Sequence, residues 1–391
     1  MARGPPARAA QRAGLAVGPE DREGRGLATR VEPFSIDVEE GVLDDLRARL
    51  AGTRWPPPAP GEPWGQGTDL AYLRELCAYW ADGFDWRARE RELNAWPQFV
   101  ADVDGLRIHF VHVRRGGVPL ILSHGWPSAF LEFLPLAERL DGFDLVIPSL
   151  PGSGFSERPA RCTTRDVARL WHALMQGLGY DRYGAHGGDW GAAVATYMAL
   201  DEPAPLLGVH LANLDTAPVP AEPLTDAERA FVAATQRWDA AERGYSFMQG
   251  TRPQTLAYGL TDSPAGLAGW IVEKWRAWGD TGGDLDARFS RDFLLTLLTL
   301  YWATGTIATS IRDYRDNRAA GTATQTERVT VPTAIANFHH NFADEGVLPR
   351  EWAERIYAVR RFTDMPRGGH FAAAEEPELL ADDITAFFTG R

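Results

Sequence analysis

The run Gly187-Gly188-Asp189-Trp190-Gly191, followed by the apolar stretch Ala192 to Leu200, constrains this chain more than any other segment. Glycines two before and two after a reactive side chain suit a sharp turn from a strand into a helix, because such a turn leaves no room for a Cβ at either flank. Its usual occupant is Ser, whose alkoxide attacks carbonyl carbon. A carboxylate is a weak nucleophile, better suited to displacing a leaving group from saturated carbon, and carboxylates are ionised near neutrality without a base. Glycines around an Asp also mark ordinary turns, so the motif needs support from the rest of the chain.

The 391 residues suit one elaborated α/β domain or two modest ones. A hydrophobic content of 45% with 14 Trp points to a large folded core. The net charge of −13 leaves no electrostatic footprint for nucleic acid or for an anionic membrane. Cys77 and Cys162 form neither a disulfide framework nor a metal-ligand cluster. That fits a reducing cytoplasm and leads us to expect no metal and no cofactor. The longest apolar candidate, Phe293 to Trp302, is too short to span a bilayer and contains Thr. The first thirty residues lack a hydrophobic segment, and Glu20, Asp21 and Glu23 argue against a transit peptide. They read as a disordered tail or as a start codon placed too early.

Helical spacing recurs at Leu43, Leu46 and Leu50, and again at Leu70, Leu73, Leu76 and Trp80. Strands are expected at 107–113, 118–122, 145–148, 183–188, 207–211 and 331–338. A closing helix is expected over 375–388, with Pro377 in its first turn. Residues 215–321 are helical in pattern, rich in Trp and Tyr, and carry no strand signal. Strands alternating with helices imply a mostly parallel sheet covered on both faces, with the helical stretch inserted as a lid. The expected division is a tail over 1–30, a leading segment over 31–105, a first core half over 106–214, the lid over 215–325 and a second core half over 326–391.

Three further segments carry chemistry. His124-Gly125-Trp126-Pro127 follows a strand, in a tight turn that can leave the Trp126 amide free. With the amide of Trp190 it would make an oxyanion hole. His370, in Gly368-Gly369-His370-Phe371, precedes the closing helix, where a loop can carry an imidazole towards the Asp189 turn. Asp189 would then attack carbon to form an ester, and His370 would activate the water that hydrolyses it. The leaving group decides the reaction: a halide wants N–H donors, whereas an epoxide oxygen wants an acid such as Tyr. Tyr245 and Tyr314 are the lid candidates, and each also suits plain packing.

From Pro33 to its C-terminus the chain resembles the microsomal-type epoxide hydrolases, a branch of the α/β-hydrolase fold. The resemblance rests on a leading segment with Pro33-Phe34, Thr53-Arg54-Trp55-Pro56, Tyr79-Trp80, Phe84-Asp85-Trp86-Arg87 and Pro97-Gln98-Phe99, and on the three motifs above. Asp262-Ser263-Pro264-Ala265-Gly266-Leu267 also matches. The chain order of nucleophile, acid and histidine is that of the fold. The resemblance implies Asp189 as nucleophile, His370 as general base, Tyr314 as the ring-opening acid and Tyr245 as the second phenol. Tyr314 sits in the pattern Arg-x-Tyr-x-x-Asn, Arg312 to Asn317. The resemblance also implies a leading segment that wraps the core and packs on the lid. Family members with a membrane anchor carry it at the N-terminus. This chain shows none there and resembles the soluble bacterial members.

One position departs from the family pattern. Counting from Phe338, the acid that supports the histidine falls on Asn341; counting back from Leu348-Pro349, it falls on Glu345, with Asp344 beside it. A short insertion around residues 339–343 favours Glu345. The expected activity is hydrolysis of a hydrophobic epoxide with water to a vicinal diol. The alternatives are a haloalkane dehalogenase using the same Asp189 and His370, and a catalytically inactive binding protein, for which Asn341 is the support. Assembly as a homo-oligomer is left open.

Overall fold

The structure is a computed structural model that describes residues 30–212, 214, 223–321, 327–340 and 347–390. Among the described residues nine strands make one sheet: β1 (Val31–Phe34), β2 (Gln98–Val103), β3 (Leu106–Val113), β4 (Val118–Ser123), β5 (Phe143–Pro148), β6 (Tyr183–Gly187), β7 (Leu206–Ala212), β8 (Val329–His340) and β9 (Tyr357–Gly369). Their spatial order is β1-β2-β3-β5-β4-β6-β7-β8-β9. The ladders from β5 to β9 are parallel. Those joining β1, β2, β3 and β5 are antiparallel. This is the expected α/β-hydrolase architecture.

Side chains on a strand alternate between faces, so each central strand feeds two cores. In β4, Leu120 and Leu122 enter the core on one face, and Ile121 enters the core on the other. In β5, Leu145 and Ile147 are divided in the same way from Val146. Burial on both faces is why these strands read as apolar runs without alternation.

Three strands and several helices, among them Trp86–Asn94, Thr164–Gly177 and Arg350–Ile356, were not anticipated. β9 contains Arg360, Arg361, Asp364 and Pro366 and lies at the sheet edge. Charges and proline blunt the unpaired side of such a strand, so its polarity hides it in the sequence. β1, at the opposite edge, has only four residues. β2 breaks its apolar pattern at the exposed Asp102. The helix Thr164–Gly177 begins with a reciprocal Thr163/Asp166 capping box and buries Val167, Trp171 and Met175. Both signals stand in the sequence and were passed over.

Eight helices lie between β7 and β8 among the described residues, from Asp226–Glu242 to Arg312–Ala320. They cover the carboxyl ends of the parallel strands, with Tyr245 stacked on Trp126 and Trp275 stacked on Phe371 at 3.7 Å between ring centroids. The leading segment packs on this layer: Trp80 Nε1 donates to Thr299 Oγ1 at 2.9 Å, and the Tyr79 hydroxyl donates to Asp292 Oδ1 at 2.7 Å. No single helix among the described residues is long and apolar enough to cross a membrane.

The turn between β6 and the helix Trp190–Asp201 is sterically closed. A Cβ on Gly187 would lie 2.2 Å from the Gly191 carbonyl carbon, and one on Gly191 would lie 1.8 Å from the Ser123 carbonyl oxygen. Both obstacles are backbone, which cannot swing aside. Gly191→Ala is therefore expected to destabilise the protein at or above the upper end of the roughly 1–3 kcal/mol usual for overpacking. Denaturant unfolding of the variant against the parent checks it.

Candidate active site

Asp189 stands at the apex of this turn with φ 54° and ψ −129°, a conformation that non-glycine residues avoid. Its carboxylate points at the loop after β4. Asp189 Oδ1 accepts from the Trp126 amide at 2.9 Å. Gly125 makes room for this contact, since a Cβ there would lie 2.1 Å from Asp189 Oδ1. Trp190 is the first residue of the following helix, so its amide is among those without an intrahelical acceptor. His124 anchors the loop with both ring nitrogens: Nδ1 donates to the Gly125 carbonyl and Nε2 accepts from the Leu150 amide. Burial holds its pKa down at about 4, so it is a neutral latch.

His370 Nε2 lies 3.4 Å from Asp189 Oδ2, and the imidazole is buried. The loop that carries it is held by a residue absent from the expected site. The Glu375 carboxylate accepts from the amides of Gly369 (3.0 Å) and Phe371 (2.8 Å), which flank His370 in sequence, and from that of Asp280 (2.8 Å), which ties the loop to the helical layer. Burial pushes the Glu375 carboxyl up, against those amides and Arg288. The His370 amide itself donates to the Trp278 carbonyl at 2.9 Å. Glu345, Asp344 and Asn341, the alternatives for the acid supporting His370, lie outside the described residues.

Five aromatic rings stand around the carboxylate. Tyr314 meets Trp190 edge-on at 5.0 Å between ring centroids, Trp126 at 5.7 Å and Tyr245 at 5.9 Å. Tyr245 also packs on Trp278 at 5.2 Å, and Trp278 on His370 at 5.1 Å. All the described residues of the expected site are thus brought together at one place. Among the described residues, Trp126 Nε1 and Trp190 Nε1 are buried without an acceptor.

Tyr314 is positioned by a buried ion bridge. Arg158, 3% exposed, reaches from the loop after β5 to Asp313 and to Asp316 (2.7 Å), which flank Tyr314 on the helix Arg312–Ala320. Burial pushes Asp313 up to about 6 despite the pull of Arg158. Asn317, one residue further on, accepts from the amide of Thr164. Sequence reasoning missed Arg158, whose partners are distant in the chain, and Glu375, which ties its own loop to the distant Asp280. It also missed Glu132, which stands as a single charge in the apolar run Ala129 to Ala137 and lines a small cavity with Asp189 and His370. Arg158→Met would leave two largely buried carboxylates unpaired. It is expected to cost roughly 3–5 kcal/mol, with proteolytic cleavage appearing near the Tyr314 helix. Denaturant unfolding and limited proteolysis read the two effects.

Comparison with known proteins gives the family. A model of the epoxide hydrolase N terminus matches residues 31–133, and a model of the α/β-hydrolase fold matches residues 118–268. A Stigmatella aurantiaca protein that carries the name epoxide hydrolase provisionally is 39% identical over 92% of this chain and 84% of its own. Epoxide hydrolase 1 of Sus scrofa is 33% identical over 95% and 91%. The solved structure of Aspergillus niger epoxide hydrolase superposes with a TM-score of 0.83 at 30% identity, covering 93% of this chain and 97% of that one. The chain belongs to the epoxide hydrolases of the α/β-hydrolase fold.

Proposed function

We propose that the protein opens a hydrophobic epoxide to a vicinal diol through an ester on Asp189. The observation that carries this reading is the Asp189 carboxylate, with Oδ1 on the Trp126 amide and Oδ2 3.4 Å from His370 Nε2, beneath the rings of Tyr245 and Tyr314. Asp189 attacks a ring carbon, and the epoxide oxygen takes a proton from Tyr314 or Tyr245. The Lys274 ammonium, 4.6 Å from the Tyr245 ring centroid and buried, favours the phenolate left behind. His370 then takes a proton from water, whose oxygen attacks the Asp189 carboxyl carbon. The amides of Trp126 and Trp190 hold the oxyanion that forms. As the intermediate collapses, His370 returns its proton to the departing diol oxygen. The proton left on Asp189 restores the tyrosine. The aromatic walls select an apolar substrate. Glu345 is the acid proposed to support the imidazolium. In a serine triad, an Asn at the supporting position costs about 10⁴ in rate.

The unsatisfied indole N–H groups of Trp126 and Trp190 favour a second reading, displacement of halide from a haloalkane by the same Asp189. One single-turnover experiment in ¹⁸O water, with styrene oxide and with a haloalkane, separates the two. We expect diol free of label in the first turnover, its new oxygen coming from Asp189. Label in that first diol means direct attack by water, and halide release without diol activity means a dehalogenase. His370→Gln is expected to accumulate the ester, visible as a mass increase equal to that of the epoxide. Tyr314→Phe and Tyr245→Phe should each slow ester formation about 10²-fold or more, measured in stopped flow.

A further inference from the structure

The loop after β4 does more than present the Trp126 amide. Its continuation, the short 3₁₀ turn Phe130–Phe133, sends one acid, Glu132, back towards the site. Glu132 is 8% exposed and lines a small cavity with Ser128, His124, Asp189, His370 and Phe371. Neither Tyr245 nor Tyr314 lines this cavity. It leaves about 20 Å³ for the centre of a water-sized sphere. One water needs roughly 10–15 Å³ by that measure, together with two to four polar partners. Glu132, His370 and Asp189 supply those partners. Apolar side chains flank Glu132 on both sides in the sequence, so a charge here is costly unless the site uses it.

We propose that Glu132 is the residue that holds the hydrolytic water, accepting one of its hydrogens while His370 takes the other. The proposal rests on the Asp189 ester reading. The water hydrogen bonded to Glu132 stays on the oxygen as it bonds to the Asp189 carboxyl carbon. The second proton passes to His370 Nε2 and then to the diol oxygen when the ester bond breaks. Glu132 gains and loses nothing covalently. It fixes the direction of the lone pair.

The electrostatics favour this role after the first half-reaction. Burial pushes the Glu132 carboxyl up to about 7, helped by the negative charges of Asp189 and Glu375 and opposed by the Ser128 hydroxyl and by His370. His124, the other titratable group lining the cavity, is held neutral. Esterification removes the charge of Asp189. The repulsion it exerted on Glu132 then vanishes and the Glu132 carboxyl falls towards its ionised form. Glu132 is therefore a better hydrogen-bond acceptor beside the ester than beside the charged nucleophile, although burial, the larger effect, acts in both states.

The test compares the two half-reactions by rapid quench with mass detection of the alkylated protein, using styrene oxide. Glu132→Gln keeps the shape and removes the charge. We expect ester formation within threefold of the parent and ester hydrolysis at least tenfold slower, so that alkylated protein accumulates in the steady state. Glu132→Asp should recover part of the hydrolysis rate. Hydrolysis at the parent rate in Glu132→Gln overturns the proposal, and so does equal slowing of both steps, which would mark a packing role. If Glu132→Gln does not fold, the Glu132→Asp ratio of the two rates decides by the same criterion. Absence of any ester in His370→Gln overturns the Asp189 reading itself and takes this proposal with it. Ester present there with unchanged hydrolysis in Glu132→Gln overturns the Glu132 role alone.

Discussion

A main chain bent to φ 54° at a residue with a side chain is the constraint on which the rest of this structure depends. Such a conformation costs of order 1–3 kcal/mol and persists only where its surroundings over-determine it. Here they do. Gly191 is pressed against the Ser123 carbonyl, Gly187 against the carbonyl carbon of Gly191, and Gly125 against the Asp189 carboxylate. Three backbones meet within one Cβ of each other because two neighbouring parallel strands, β4 and β6, end side by side. The parallel sheet therefore does not merely carry the turn. It delivers the Trp126 amide and the Asp189 carboxylate to the same point from two strands.

Around this rigid point the remaining groups arrive on longer connections, and each is secured by a buried charge. Glu375 gathers three amides around the His370 loop. Arg158 joins two aspartates around Tyr314. A carboxylate that accepts several amides, or a guanidinium between two carboxylates, fixes direction as well as distance. Breaking such a group leaves an uncompensated charge in the interior, and that penalty ties the helical layer to the sheet.

The contrast between these two kinds of support explains what could be read from the sequence. Asp189, Trp126 and His370 sit in short motifs whose glycines report a local steric demand, so five or four residues suffice to recognise them. Tyr245 and Tyr314 carry no such glycine mark; the sequence offers them only as lid candidates, and their expected roles come from family resemblance. Arg158 acts on partners up to 158 residues away and Glu375 reaches Asp280, 95 residues away, and nothing in their neighbourhoods announces these long contacts. β9 was hidden because an edge strand is charged for a reason of its own. Glu132 is the exception. Its signal was local, one acid in a nine-residue apolar run, and it was overlooked because the adjacent motif drew attention to the amide alone.

The balance of charge at the site links these observations. Burial disfavours the ionised form of two carboxyl groups here, Glu132 in the cavity with Asp189 and His370, and Glu375 on the His370 loop. Glu375 is held by backbone amides, whose positions do not change, so its environment is constant. Asp189 is the group whose charge the proposed reaction removes and restores. Glu132 senses that charge through the cavity they share and has the Ser128 hydroxyl as its uncharged neighbour. An acid made easier to ionise when the nucleophile loses its charge, placed on the water side of the histidine, helps to separate the two half-reactions without any movement of the chain. The strained turn makes this separation workable, because Asp189 stays in one place whether it is an anion or an ester.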